Sequence, residues 1–98
     1  MILVRQVFQA KYGRGDELVA LFKEFKTLPE LPKWQNPRIM TDASGPFFTV
    51  VFEYEAASLG AWEEDFGRMM STPQVGEWFG RMMAVTESGS CDFYRIVE

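Results

Sequence analysis

Polar residues interrupt otherwise apolar, strand-like stretches, among them Arg5, Gln9, Thr49, Glu53 and Arg95. If their parities align, Arg5, Glu53 and Arg95 fall on one face of three neighbouring strands. Such a set has two readings. As a site, the guanidiniums anchor a carboxylate or enolate while Glu53 acts as base or orienter, which makes Arg5, Glu53 and Arg95 the catalytic candidates. As structure, a balanced Arg-Glu-Arg set satisfies itself in a cross-strand or intersubunit ion-pair network. Aromatic side chains supply the second group of candidates. Trp62, Phe66, Trp78, Phe79 and Tyr94 could line a cleft for a flat organic ligand, or simply form core. The six Met residues suit an adaptable apolar pocket and equally fill gaps in a core. Tyr12, Trp34 and Tyr54 lie near strand ends or loops, where lids often sit.

Other chemistries lack their central group. The chain has no His, so a Ser-His-Asp triad, a Cys-His pair, a His-ligated haem and the usual His zinc sites are excluded. Cys91 is the only Cys, so no intrachain disulfide forms, which suits a reducing cytoplasm. Without a basic neighbour it reads as a small buried hydrophobe rather than a nucleophile. Glu63, Glu64 and Asp65 are consecutive and splay around a helix, so they favour a helix start over a metal site. Gly13-Arg14-Gly15 lacks the context of a phosphate loop and reads as a turn. No metal and no cofactor are expected.

The net charge of −4, with no long basic run, disfavours nucleic acid as a partner. Residues 1–6 turn polar too soon for a signal peptide, and Phe47 to Phe52, the longest apolar run, is far too short for a membrane span. A cytoplasmic protein is the expectation.

The elements that would position these residues follow from periodicity. Residues 2–11 read as a strand, and Gly13 to Gly15 break it. Asp16 is an N-cap candidate for a helix carrying Leu18, Leu21, Phe22, Phe25 and Leu28 on one face, ended by Pro29 and Pro32. Residues 29–37 read as an irregular connection. Ile39 to Ala43 is a short strand, with Pro37 beside it suiting an edge. Ser44-Gly45-Pro46 turns the chain into a third strand, Phe47 to Glu55, so 38–55 reads as a hairpin. Ser58 caps a helix with Trp62, Phe66, Met69 and Met70 as its stripe. Thr72-Pro73 starts another, with Val75, Trp78, Phe79, Met82 and Met83. Ser88-Gly89-Ser90 ends it, and Cys91 to Val97 is the last strand.

Glu64-Asp65-Phe66-Gly67-Arg68-Met69-Met70 recurs thirteen residues later as Glu77-Trp78-Phe79-Gly80-Arg81-Met82-Met83. In one unbroken helix the copies would point roughly 140° apart. The Thr72-Pro73 break can reset the direction and send both stripes inward. Each copy also carries a Glu-to-Arg pair at i,i+4.

The order is therefore β-α-β-β-α-α-β. The handedness of helical crossovers makes this one α+β domain over 1–98: a four-stranded antiparallel sheet in a ferredoxin-like arrangement, with helices on one face. A strand with one wet face should alternate, yet Phe47-Phe48-Thr49-Val50-Val51-Phe52 is apolar on both parities. So short a chain covers one face of its sheet. The other face is expected to meet a second copy, closing a barrel between subunits.

This order, the stretch Val51-Phe52-Glu53-Tyr54-Glu55-Ala56-Ala57-Ser58-Leu59, Trp62 and the Thr72-Pro73 helix start resemble the dimeric α/β-barrel superfamily. Within it the chain is most similar to NIPSNAP-like proteins and next to antibiotic-biosynthesis monooxygenase-like proteins. The resemblance implies a homodimer through the sheet face that binds a small organic molecule. Its alternative implication is a cofactor-free monooxygenase or isomerase acting on a small cyclic or aromatic compound. The superfamily's haem-degrading members use a His ligand, which this chain lacks.

Overall fold

A computed structural model of the chain describes residues 1–98 except Glu30 and Lys33. The part of the expected 29–37 connection that falls on those two lies outside the described residues. The elements run β1 (Ile2–Ala10), α1 (Gly15–Phe25), β2 (Gln35–Thr41), β3 (Thr49–Ala56), α2 (Leu59–Met70), α3 (Pro73–Val85) and β4 (Thr86–Arg95). The strands form one antiparallel sheet in the order β2-β3-β1-β4. This is the expected α+β, ferredoxin-like arrangement.

Alternation decides what each sheet face carries. Val4 and Ala10 of β1 and Val50, Phe52, Tyr54 and Ala56 of β3 are buried under the helices. Leu18, Phe22 and Phe25 of α1, Met69 of α2 and Val75, Trp78, Met82 and Val85 of α3 meet them. Each helix thus buries one stripe. The repeat works as its break allows: Met69 and Met82, at equivalent positions, both turn inward. Trp78 ties α3 to α1 by donating its indole N–H to the Leu21 carbonyl at 2.7 Å, and Arg81 reaches Glu24 at 2.8 Å.

Local chemistry places several boundaries differently from the sequence reading. Asp16 is not the cap of α1: the helix starts one residue earlier, and Asp16 and Glu17 sit in its first turn, where negative charge is favourable. Ser58 does cap α2, its hydroxyl accepting from the Ala61 N–H at 3.1 Å. Pro73 opens α3. The i,i+4 ion pair forms in the second repeat copy, Glu77 to Arg81, whereas Arg68 takes Asp65 in place of Glu64.

The apolar run at Phe47 to Phe52 is not one strand. Phe47 is exposed, and Phe48 has φ 63°. That left-handed backbone costs a non-glycine residue about 1–3 kcal/mol. Tertiary contacts hold it there. The Phe48 carbonyl accepts from the Ala10 N–H at 2.9 Å, and its ring meets Tyr12 edge-on with centroids 5.0 Å apart. β3 proper begins at Thr49, and its outer parity is Thr49, Val51, Glu53 and Glu55. That face is more polar than the run suggested.

Ser88-Gly89-Ser90 is strand rather than loop, since β4 follows α3 with no residue between them. The reason is packing. Gly89 stands opposite Phe8, and a Cβ there would lie 2.8 Å from the Phe8 ring. Glycine lets that ring lie across β4.

Candidate functional site: a sheet–helix cavity

A cavity of about 320 Å³ opens between the sheet and the helix layer. Its floor is β1, β3 and β4, contributing Gln6, Phe8, Phe52, Tyr54, Gly89 and Cys91. The repeat forms much of its roof: Phe66, Met69 and Met70 from the first copy, Trp78, Phe79 and Met82 from the second. Phe22, Phe25 and Trp34 close one side. The lining residues Met70 and Cys91 are exposed, so the cavity meets solvent along the β4 edge.

Stacked rings give this space flat walls. Trp34 lies over Tyr54 with centroids 4.2 Å apart and Phe22 over Phe52 at 5.2 Å, while Phe25 meets Trp78 at 4.4 Å with the rings tilted by 43°. Such offset pairs add stability beyond their buried area. Trp34 Nε1 is buried and finds no acceptor among the described residues.

Tyr54 is the most constrained polar group in the lining. It is 1% exposed, and its oxygen accepts from the Trp62 indole N–H at 2.7 Å. Indole only donates, so the bond uses a lone pair and leaves the phenolic proton free to donate. Burial pushes the Tyr54 hydroxyl well above its ordinary range, which keeps it protonated. Cys91 is exposed on the edge strand, a correction to its reading as a buried hydrophobe. The apolar wall beside it still raises its thiol, and Asp92 adds to this against an opposing hydrogen bond from Gln6. Among the described lining residues, no side chain carries a formal charge at neutral pH.

The charged candidates lie on the opposite face of the sheet. Glu53 is 1% exposed there and is held by Arg5 Nε at 2.8 Å and by Arg38. Burial works to raise the Glu53 carboxyl, but the two guanidiniums outweigh it and hold the carboxyl below the usual range. The hydrogen bond to Glu53 correspondingly raises Arg5. Arg95 does not join them: it pairs in register with Ile2 on the helix side, and Arg38 takes its place. Arg38 escaped the sequence reading because β2 begins four residues before Ile39, passing Asn36 at φ 51° and Pro37 with a slip in register.

The aromatic candidates divide. Phe66, Trp78 and Phe79 line the cavity. Trp62 stands behind it, stacked on Phe66 at 4.9 Å and edge-on to Phe93 at 4.8 Å. Tyr94 is on the outer face, under the Arg5 guanidinium at 5.2 Å. Sequence reasoning left out Phe22, Phe25 and Phe52, and placed Tyr54 only near a loop. The signal for Tyr54 was its parity, shared with Val50 and Phe52.

A four-stranded antiparallel sheet covered on one face by three helices, with a cavity between the layers, defines the fold class. Solved structures of the same fold include an uncharacterised NIPSNAP domain protein from Burkholderia xenovorans, 17% identical, with a TM-score of 0.85 over 99% of this chain and 95% of that one. A NIPSNAP family protein from Agrobacterium tumefaciens is 18% identical, with a TM-score of 0.84 over 99% and 93%. An antibiotic biosynthesis monooxygenase is 20% identical, with a TM-score of 0.72 over all of both chains. No protein-family profile and no curated protein matches the sequence. Among the described residues no helix is long and apolar enough to cross a membrane.

Proposed function

We propose that this chain is a homodimeric, cytoplasmic binding protein for a small, flat, uncharged organic molecule held in the sheet–helix cavity. The observation that carries the reading is the lining: aromatic and Met side chains around about 320 Å³, with no charged side chain among the described residues. That volume is at the small end of ligand pockets. Flat rings would stack on its walls, and the Tyr54 hydroxyl, whose proton its bond from Trp62 leaves unused, would donate to one acceptor on the ligand. A carboxylate ligand has no cation to meet it, because Arg5 and Arg38 lie across the sheet.

A second reading takes its support from the antibiotic biosynthesis monooxygenase of the same fold. The titratable groups among the described lining residues are Tyr54 and Cys91, and both are pushed toward their protonated forms. A base for proton abstraction is what such an enzyme needs, so binding is the reading this lining favours.

The test is titration with neutral N-phenyl-1-naphthylamine, followed by its fluorescence gain, for the native chain and for Met82→Trp, which fills the cavity. Saturable binding to the native chain, lost in the filled variant, supports the reading. Binding that survives Met82→Trp, or no binding at all, overturns it.

A further inference from the structure

The inner face of β1 carries one polar side chain in an otherwise apolar row. Val4, Gln6, Phe8 and Ala10 share that face, and Val4 and Ala10 are buried under the helices. Gln6 pairs in register with Phe52 of β3 and with Cys91 of β4. It therefore stands on an interior strand of the sheet, with its side chain in the cavity floor. A primary amide offers two N–H donors and an oxygen with two lone pairs. Among the described residues, the one side chain this amide bonds is the Cys91 thiol. That bond spends one N–H on a weak acceptor. A polar group facing apolar walls costs stability unless its bonds are made. The oxygen of Gln6 and its second N–H are left for whatever fills the cavity.

We infer that Gln6 selects the ligand, and that the cavity takes a flat, neutral ring system with a lactam edge, an N–H beside a carbonyl. The inference rests on the binding function proposed above and adds the chemical class and the residue that reads it. A lactam edge is complementary to an amide: its N–H donates to Gln6 Oε1, and its carbonyl accepts from Gln6 Nε2. Tyr54 pairs with Val4, which makes it the diagonal neighbour of Gln6 on the same face. Such neighbours lie roughly 7–8 Å apart along the backbone, so one small ligand reaches both polar groups. A ring with a carbonyl but no N–H is matched on one side only, because it sets lone pairs against Oε1 and leaves that acceptor unbonded. An acid or an amine finds no opposite charge among the described lining residues. At about 320 Å³ the space suits fused rings over longer, branched molecules.

Two compounds of the same outline test this. Carbostyril is a fused bicyclic lactam, and coumarin keeps its carbonyl but has a ring oxygen in place of the N–H. Isothermal titration calorimetry is expected to show the native chain binding carbostyril roughly 10-fold more tightly than coumarin. Gln6→Leu is close in size and removes both polar groups, so it should bring the two compounds within roughly threefold of each other. A purely structural role for Gln6 predicts something different: both compounds weaken together and their ratio stays. Circular dichroism checks that the variant is folded. If Gln6→Leu does not fold, or binds neither compound, Gln6→Met takes its place. Equal binding of both compounds to the native chain, or tighter binding of coumarin, overturns the role of Gln6 and leaves the cavity standing as a site for flat neutral rings. A preference for carbostyril that survives the substitution also overturns it. A native chain that binds neither compound overturns the binding function itself.

Discussion

Glu53 offers the sharpest test of the physical reasoning, because it is a carboxylate almost sealed from water with both partners at the surface. Its side chain is 1% exposed, while those of Arg5 and Arg38 are 40% and 64% exposed. Removing one arginine leaves the other in place. Each bond is charge-assisted, but in the undimerised chain its cationic end is wet, so at chain concentrations low enough to keep it monomeric Arg5→Ala or Arg38→Ala should cost only about 1 kcal/mol. Removing both strands a buried charge, and the double variant should lose about 3–5 kcal/mol at pH 7, more than the two singles together. For a chain of this size each kcal/mol moves the melting temperature by about 4–8 °C. The pH dependence should also reverse. In the native chain the Glu53 pKa is lowered, so its contribution is present above the unfolded carboxylate range and lost as pH falls through the folded value. In the double variant burial alone acts and raises that pKa. The neutral acid is then tolerated, and stability is lost as pH rises through the raised value. Thermal melts by circular dichroism at equal chain concentration should show a wide gap between native and double variant at pH 7, narrowing toward pH 4. A gap that is additive and the same at both pH values refutes the account of Glu53 as a buried charge held by two guanidiniums.

Gly89→Ala should destabilise the chain by about 1–3 kcal/mol in chemical denaturation. Its new methyl would lie 2.8 Å from the Phe8 ring. The displaced ring moves against the cavity, so the same variant should bind N-phenyl-1-naphthylamine more weakly. Tyr54→Phe removes the acceptor of the Trp62 indole and should shift tryptophan emission. The lost bond should cost about 1 kcal/mol. Unchanged emission would mean that bond is absent in solution. Trp78→Phe keeps an aromatic ring between α1 and α3 but loses the bond to the Leu21 carbonyl. Urea unfolding should show a loss of about 1 kcal/mol. No loss would mean that the bond to the Leu21 carbonyl adds nothing to the stability of that helix pair.

Much of this architecture is written locally. The stripe Leu18, Phe22 and Phe25, the Ser58 cap, the Thr72-Pro73 restart and the repeat that roofs the cavity are all set by neighbours within about one helical turn. Element order and crossover handedness then leave one sheet topology. The homodimer and the identity of the ligand stand outside that local code.

What the sequence could not settle depends on partners far along the chain. Arg38 joins Glu53 because β3 pulls β2 past Pro37, which by itself reads as a break. Phe48 takes a left-handed backbone because Ala10 bonds its carbonyl, and this removes Phe47 and Phe48 from the strand their composition suggests. Ser88-Gly89-Ser90 extends because β1 lies beside it and the Phe8 ring needs the space that glycine leaves. Arg95 and Glu53 part company because a strand has two faces, and pairing register alone assigns each residue to one. Periodicity is a property of neighbours, and register is a property of the pairing. Composition and spacing therefore determined the helices, the strand order and the apolar stripes. Only the assembled sheet decided which polar residues meet, and that the charges and the cavity lie on opposite sides of it.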